Sequence, residues 1–236
     1  MENITRENAF FMAQILSKTD RQQDTIDLIK KVIEMNPDLN NEEQSFLSIV
    51  YKNIVDKKRE GLANLYNIIR DDQSICNNQT YYQKIQTYAH EFVEELDFYG
   101  NELISIINEK LLPIASTPKN KVFYLTLKAD YYRYLSEFHF HHISGEENNE
   151  LASHAEQAYK EALLTASENL SPTKTEYLGL ILNYTVFLHD ILDKKDDALD
   201  LANKTYQELI SKVSDSDSRD VQKLMTLLKE NIEKWS

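Results

Sequence analysis

The chain has 236 residues, a formal net charge of −13 and only four glycines and four prolines. Sheets with tight turns need many glycines, so this composition favours helices joined by short polar turns. Nucleic acid and anionic membranes are unfavourable partners, because both carry the same sign of charge as the chain.

Two further features indicate the compartment of the chain. Cys76 is the single cysteine, which excludes an internal disulfide and fits a reducing compartment. The first residues show no basic segment followed by a long apolar one, and no later run is long enough to span a bilayer. We therefore expect the chain to be cytoplasmic and to have no membrane partner. The same features are compatible with an additional location in the nucleus.

Helical periodicity runs through the first half of the sequence. Two short helices are predicted over residues 5–18 and 21–35, and a long third helix begins at Asn40 or Asn41. The apolar face of this third helix consists of Leu47, Val50, Ile54, Leu62, Leu65 and Ile69. After a loop at 71–80, a fourth helix is predicted from Tyr81 to Leu112, where Pro113 ends it.

The second half continues the same pattern. A fifth helix is predicted after Pro118, with Ser116 or Thr117 as its N-cap, and it ends before Gly145. Four more helices are predicted near residues 148–168, 173–192, 196–213 and 217–235. The sum is nine helices without a strand, and their short turns imply antiparallel packing. No repeat of fixed period is present, which makes a tetratricopeptide array a weaker description.

Three cations are candidates for binding an anion. Lys52 and Arg59 leave the same face of the third helix, because seven residues make nearly two turns. Arg133 lies further along, beside the hydroxyl of Tyr134, and the four groups together can hold a dianionic phosphate through charge-assisted hydrogen bonds. On spacing alone a solvated face is the more frequent explanation, since Lys52 and Asp56 form an ordinary i,i+4 pair.

Several segments resemble helices of the 14-3-3 protein family. NNEEQSFLSIVYKNIV, at residues 40–55, is similar to the third helix of the family, and KVFYL followed by DYYRYL is similar to the fifth. LGLILN, at 178–183, resembles the seventh helix, and the segment from Leu227 to Trp235 resembles the ninth. The order and spacing fit nearly the whole chain, which is therefore similar to a divergent member.

The resemblance implies an all-α fold of nine antiparallel helices that form a cup-shaped protomer with an amphipathic groove. It implies a single domain over residues 1–236. Helices 1–4, in residues 1–115, would carry a dimer interface, and helices 5–9, in residues 116–236, would complete the groove.

The resemblance also implies a function and assigns residues to it. The chain would be a non-enzymatic signalling adaptor whose partners are client proteins phosphorylated on serine or threonine. The phosphate would be bound by Lys52, Arg59, Arg133 and Tyr134, and the main chain of the client by Asn183 and Asn231. The apolar side of the groove would consist of Leu182, Val186, Leu224, Leu227 and Trp235. Without the resemblance, ordinary structural roles are the favoured explanation, with Leu182, Val186 and Leu227 in the core, Asn183 bonded to a buried backbone group and Trp235 as a packing residue, because apolar helical stripes usually form the core.

Some positions depart from the family pattern. Asp56 stands where a glycine is usual, one turn from both Lys52 and Arg59, and a carboxylate there competes with phosphate. Thr126 replaces a usual lysine, and Lys223 and Lys234 replace apolar residues. These changes predict a weaker affinity for phosphopeptides than is usual in the family, which Asp56→Gly would raise.

The resemblance also implies that the chain forms a homodimer or a heterodimer. The expected interface residues are Ile15, Arg21, Asp24, Tyr88, Glu91 and Glu95. Arg21 and Glu95 match a salt bridge between subunits, whereas Asp24 would face Glu91, where the family pairs an acid with a lysine. Gly61 replaces a serine whose phosphorylation controls dimerisation elsewhere in the family, so that control should be absent.

No motif for catalysis, for a nucleotide or for a cofactor occurs in the sequence. The histidines His139, His141 and His142 cluster, but no further ligand completes a tetrahedral set, so no metal site is expected. The alternative function is a helical-repeat scaffold that binds unphosphorylated peptides through a degenerate groove. An enzyme is the third candidate.

Overall fold

The computed structural model describes residues 4–19, 21–71, 75, 77–139, 149–212 and 218–236. Within these residues it contains nine α-helices and no strand, which confirms the predicted all-α fold. The helices are α1 (Arg6–Leu16), α2 (Gln22–Met35), α3 (Asn41–Asp71), α4 (Gln79–Ile106), α5 (Pro118–His139), α6 (Asn149–Asn169), α7 (Thr175–Asp190), α8 (Lys195–Ile210) and α9 (Arg219–Trp235). No helix in this part of the chain is long and apolar enough to cross a membrane.

The described residues form two compact units, one that ends at Ile114 and one that begins at Ala115. In the first unit α1 packs on α2, α2 on α3, and α3 on α4. The apolar face predicted for α3 is buried at Leu47, Val50, Ile54 and Leu62. Leu65 and Ile69, in the last turns of α3, are only half-buried.

Polar caps fix where α3 and α4 begin. The Asn40 side chain accepts from the Glu43 amide at 3.0 Å, and the Glu43 carboxylate accepts from the Asn40 amide at 2.9 Å. This reciprocal pair is a capping box, which satisfies two amides that the helix leaves without an internal partner. Asn78 caps α4 in a similar way by accepting from the amides of Thr80 and Tyr81, so α4 begins two residues before the predicted Tyr81.

The end of α4 differs from the prediction. The α-helix ends at Ile106 rather than Leu112, and a wide π-helical turn over Ile107–Leu111 and a 3₁₀ turn over Leu112–Ile114 follow it. Pro113 explains the change, because it has no amide to donate and its ring collides with the carbonyl one turn earlier. The last turns therefore leave α-helical geometry before the proline is reached.

In the second unit α5 packs along α6, and α9 packs against both α7 and α8. Thr117 caps α5, as predicted, because its hydroxyl accepts from the Asn120 amide at 3.2 Å. One face of α6 consists of the buried alanines Ala155, Ala158, Ala162 and Ala166. Small side chains let the backbone of α5 approach closely, and this close approach brings the polar groups of α5 and α6 together.

Candidate functional site

The two cations predicted on α3 share one face of that helix. The Lys52 side chain is exposed and Arg59 is half-buried. Asp56 lies one turn from each, and its carboxylate forms an ion pair with the Lys52 ammonium at 3.0 Å. The carboxylate predicted to compete with phosphate therefore pairs with one of the proposed phosphate ligands.

Arg133, on α5, is the most enclosed of the candidate cations, with a side chain only 12% exposed. Its Nε donates to the Tyr159 hydroxyl at 3.3 Å, and the guanidinium carbon lies 4.4 Å from the centre of the Tyr134 ring. The nearest carboxylate oxygen, on Asp130, is 4.0 Å from Nη2, which is beyond hydrogen-bond distance. Arg133 and Asp130 therefore form a long ion pair, whereas the Nη groups make no hydrogen bond in the described residues and can donate to an anion.

Asp130 is the centre of the polar contacts around Arg133. One of its carboxylate oxygens accepts from the Tyr159 hydroxyl at 2.5 Å, and the other accepts from the Asn183 amide at 2.8 Å. Tyr159 lies on α6 and Asn183 on α7. These hydrogen bonds join two predicted ligands, Arg133 and Asn183, through two residues that the sequence did not single out as functional.

The environment keeps Arg133 charged and Tyr159 neutral. Burial alone would lower the pKa of Arg133, but Tyr159, Asp130 and Tyr134 together outweigh it, so that the pKa is raised. Burial, and secondarily the Asp130 carboxylate, raise the pKa of the Tyr159 hydroxyl well above its ordinary value. The site therefore presents a permanent cation beside a phenol that keeps its proton.

The predicted apolar side of the groove lies on α7 and α9. Leu182, Asn183 and Val186 are half-buried on one side of α7. On α9, the half-buried residues are Leu224, Asn231 and Trp235, whereas Leu227 is 36% exposed. Trp235 also stacks on the ring of His189, with ring centres 4.6 Å apart. None of these residues is fully buried, so each keeps surface that can contact a peptide.

The departures from the family pattern are also visible on these helices. The Thr126 hydroxyl donates to the Val122 carbonyl at 2.8 Å, which turns it towards its own helix. Lys223 and Lys234 are exposed, and neither forms an ion pair with another residue in the described ranges. Both lysines lie at the margin of the α9 face that carries Leu227, at helical spacings of four and seven residues.

The residues predicted for a dimer interface lie in the first unit. Ile15 on α1 is 42% exposed and Tyr88 on α4 is 56% exposed; Glu91 is also exposed. Arg21 pairs with Asp24 of the same chain, and Glu95 pairs with Lys58. A salt bridge between Arg21 and Glu95 of two subunits would have to exchange with these internal pairs.

Gly61, the position without the usual serine, lies tightly against α4. A Cβ atom added there would come within 2.9 Å of the ring of Phe92. The same ring has the Lys58 ammonium 5.4 Å from its centre. A serine at this position would require the Phe92 ring to move.

The histidine cluster and the single cysteine, for which no metal site or catalytic role is expected, cannot be compared with the structure. Cys76, His141, His142 and the side chain of His139 lie outside the described residues. Among the residues that are described, no group of three or more potential ligands could hold a metal ion.

The site combines the enclosed guanidinium of Arg133 with the oriented carboxamide of Asn183 and with accessible apolar side chains on α7 and α9. A protein with such a site is suited to binding an anionic peptide. The comparisons with known proteins agree with this class. The model of the 14-3-3 protein family matches residues 12–236. The chain belongs to this family, and it acts as a phosphopeptide-binding adaptor, whereas the helical-repeat alternative is not favoured.

Individual relatives match over most of their length. The chain is 31% identical to the 14-3-3-like protein GF14 epsilon of Arabidopsis thaliana, with 100% of this chain and 92% of that protein covered. It is 34% identical to the checkpoint signal transducer rad25 of Schizosaccharomyces pombe, with 98% and 85% covered. It is 32% identical to 14-3-3 protein 3 of Entamoeba histolytica, with 98% and 96% covered.

Proposed function

We propose that this chain binds client proteins at segments phosphorylated on serine or threonine, and that it regulates them without catalysis. The observation that carries the proposal is Arg133, a nearly buried cation whose Nη groups form no hydrogen bond within the described residues. Burying such a charge is costly unless it is paired. Asp130 lies 4.0 Å from Nη2 and already accepts hydrogen bonds from Tyr159 and Asn183, so a phosphate bound by the guanidinium fork would supply the charge-assisted hydrogen bonds that the Nη groups lack.

The remaining ligands of the phosphate are proposed from their chemistry. Lys52 would contribute a point charge, Arg59 a second guanidinium fork, and Tyr134 a hydroxyl donor. A dianionic phosphate has enough acceptor oxygens for all of these donors. The internal pair between Lys52 and Asp56 would have to open, or be shared, when phosphate binds.

The rest of the client segment would be bound by α7 and α9. Asn183 and Asn231 would form hydrogen bonds with the main chain of this segment and keep it extended. Such hydrogen bonds do not depend on the side chains of the client. Leu182, Val186, Leu224, Leu227 and Trp235 would contact flanking side chains through apolar surface, which tolerates many residue types. Recognition would thus be strict for the phosphate and permissive for its neighbours.

We also propose that the two compact units belong to one functional domain that dimerises, as members of the family do in general. Exposed apolar side chains on α1 support this proposal, since Phe11 is 59% and Ile15 42% exposed. Such residues favour an interface when they lie together on one surface. A cytoplasmic location is proposed from the single cysteine and the family.

The function is tested by calorimetry with one peptide in two forms, one with a central phosphoserine and the other with serine. The peptide would be selected from a library with a fixed phosphoserine. The wild-type chain should prefer the phosphorylated form, and Arg133→Ala should weaken its binding roughly 10- to 100-fold, as expected for hydrogen bonds to charged groups.

Arg70→Ala is the matched control, because Arg70 is exposed and pairs with its neighbour Asp71 on α3. It removes the same charge and should leave the affinity nearly unchanged. Equal binding of both peptide forms by the wild-type chain would contradict the proposal and favour a scaffold for unphosphorylated segments.

A further inference from the structure

A chain of hydrogen bonds, buried at its centre and partly buried at both ends, joins three helices of the second unit. It runs from Arg133 on α5 to Tyr159 on α6, then to Asp130 on α5, and ends at Asn183 on α7. Tyr159 is fully buried, and its ring lies 5.1 Å from the ring of Tyr184 in a stacked arrangement. The hydroxyl at the middle of the chain is therefore held in place by packing.

The direction of each hydrogen bond in this chain follows from the groups involved. A carboxylate accepts and never donates, so the single phenolic hydrogen of Tyr159 must point to Asp130. The hydroxyl oxygen is then left with lone pairs, one of which accepts from Nε of Arg133 at 3.3 Å. Fixing Nε fixes the plane of the guanidinium group, and with it the direction of the two Nη groups.

The same carboxylate determines the orientation of Asn183. Because Asp130 can only accept, the amide nitrogen of Asn183 must face it, at 2.8 Å. The side-chain oxygen of Asn183 consequently points away from Asp130. It has no hydrogen-bond partner among the described residues, and it can accept an amide hydrogen of an extended peptide.

We propose that Tyr159 and Asp130 are positioning residues that orient Arg133 for the phosphate and Asn183 for the client's main chain, and thereby couple these two contacts. The proposal rests on the function proposed above, and extends it to two residues that touch no client. A peptide with a phosphate would bind to a fork whose plane is set before binding, which reduces the cost of ordering it.

Tyr159→Phe is the decisive variant, because it removes the hydroxyl and keeps the stacked ring. Tyr184→Phe is its matched control, since Tyr184 is also buried, stacks on the same ring and makes no side-chain hydrogen bond in the described part of the chain. We expect Tyr159→Phe to lower the affinity for the phosphopeptide roughly tenfold, as for the loss of one hydrogen bond to a charged group. Tyr184→Phe should change this affinity by less than about twofold.

Three measurements separate positioning from a merely structural role. Binding of the serine form should be nearly the same in Tyr159→Phe and wild type, whereas a loosened fold would weaken both peptide forms. The nitrogen-15 chemical shift of Arg133 Nε should differ from wild type in Tyr159→Phe and should equal the wild-type value in Tyr184→Phe. In a double-mutant cycle, Tyr159→Phe should lower the phosphopeptide affinity much less when Arg133 is already replaced by lysine, because lysine has no guanidinium plane to orient.

The outcomes also distinguish this inference from the proposed function. If Arg133→Ala abolishes the preference for phosphate but Tyr159→Phe behaves like Tyr184→Phe, the positioning role is wrong and the function stands. If Arg133→Ala leaves that preference intact, the phosphate contact is wrong and the positioning role falls with it. Coupling to Asn183 is contradicted if the effects of Tyr159→Phe and Asn183→Ala on phosphopeptide affinity simply add.

Discussion

Lys52 and Asp56 lie one turn apart on α3, and their side chains form an ion pair at 3.0 Å. A phosphate that binds Lys52 must compete with this carboxylate. Both side chains are about half exposed, and exposed pairs contribute only about 0.2–1 kcal/mol. We therefore predict that Asp56→Asn raises phosphopeptide affinity by roughly two- to fivefold, as measured by calorimetry at low ionic strength.

Asp71→Asn is the control for this prediction, because it removes the same charge from the same helix. Asp71 pairs with Arg70, which is not among the proposed ligands. An equal gain in both variants would show that only the net charge of the chain matters. Asp56→Gly should raise the affinity as well, although a glycine inside a helix costs about 1 kcal/mol of stability.

The two lysines on α9 should alter which residues are tolerated beside the phosphate. Lys223 and Lys234 lie at the margin of the face that carries Leu227, and both are exposed. We predict that acidic residues next to the phosphoserine are favoured, because they gain attraction from these ammonium groups. Replacing both lysines by leucine should lower the affinity for an acidic peptide, relative to the affinity for an apolar one, by roughly three- to tenfold. Calorimetry with paired acidic and apolar peptides measures this ratio.

Lys229 provides the matched control on the same helix. Its ammonium pairs with Glu233 at 3.4 Å, and its position in the sequence turns it towards another side of α9. Lys229→Leu should leave the preference for flanking residues unchanged. A shift as large as that of the Lys223 and Lys234 variant would mean that the effect is general electrostatic attraction.

The dimer is tested on the exposed apolar surface of α1. Ile15 is 42% exposed there, next to Met12, which is 40% exposed. Ile15→Lys should convert a dimer to a monomer in sedimentation at micromolar concentration, because a charge is costly to bury in an interface. Ile210→Lys should not, although it introduces the same charge at an isoleucine of the second unit that is 53% exposed. A wild-type chain that sediments as a monomer would contradict the proposed dimer.

Periodicity and capping rules were sufficient to predict the nine helices, because each helix buries apolar residues and several begin at a polar cap, as α3 does at Asn40 and α5 at Thr117. They failed at the end of α4, where the effect of Pro113 extends backwards into a π-helical turn. A proline marks the end of a helix in the sequence, but it does not show how far upstream the strained turns begin.

The site was only partly predictable. Arg133, Tyr134 and Asn183 follow from the segments that resemble the family, and their roles remain predictions. Tyr159 was not singled out, because a tyrosine among the apolar residues of α6 has the pattern of an ordinary core residue. Only the packing of α5 on α6 shows that its hydroxyl meets Asp130. No rule of spacing relates two side chains on different helices.

Glu156 supplies a pH-dependent contribution to the stability of the second unit. Its carboxylate accepts from Lys194 at 2.6 Å and from Lys160 at 3.0 Å, and the contact with Lys194 ties α6 to the start of α8. Partial burial alone would raise the pKa of Glu156, but the hydrogen bonds from Lys194 and Lys160 outweigh it and lower the pKa below 4.5. This stabilisation is thus present above the unfolded-state pKa and is lost as the pH falls through the folded-state pKa.

Glu156→Gln should therefore lower the free energy of unfolding by about 0.5–1 kcal/mol at neutral pH, a modest value because both lysines are partly solvated. The difference from wild type should narrow as the pH falls below about 4.5 and disappear once the pH is well below the lowered folded-state pKa of Glu156. Urea unfolding at several pH values measures this directly. Glu233→Gln, which breaks a pair within α9, should cost only a few tenths of a kcal/mol. A Glu156→Gln deficit that stays constant through acid pH, where Glu156 becomes protonated, would show that the carboxylate acts by packing and not through its charge.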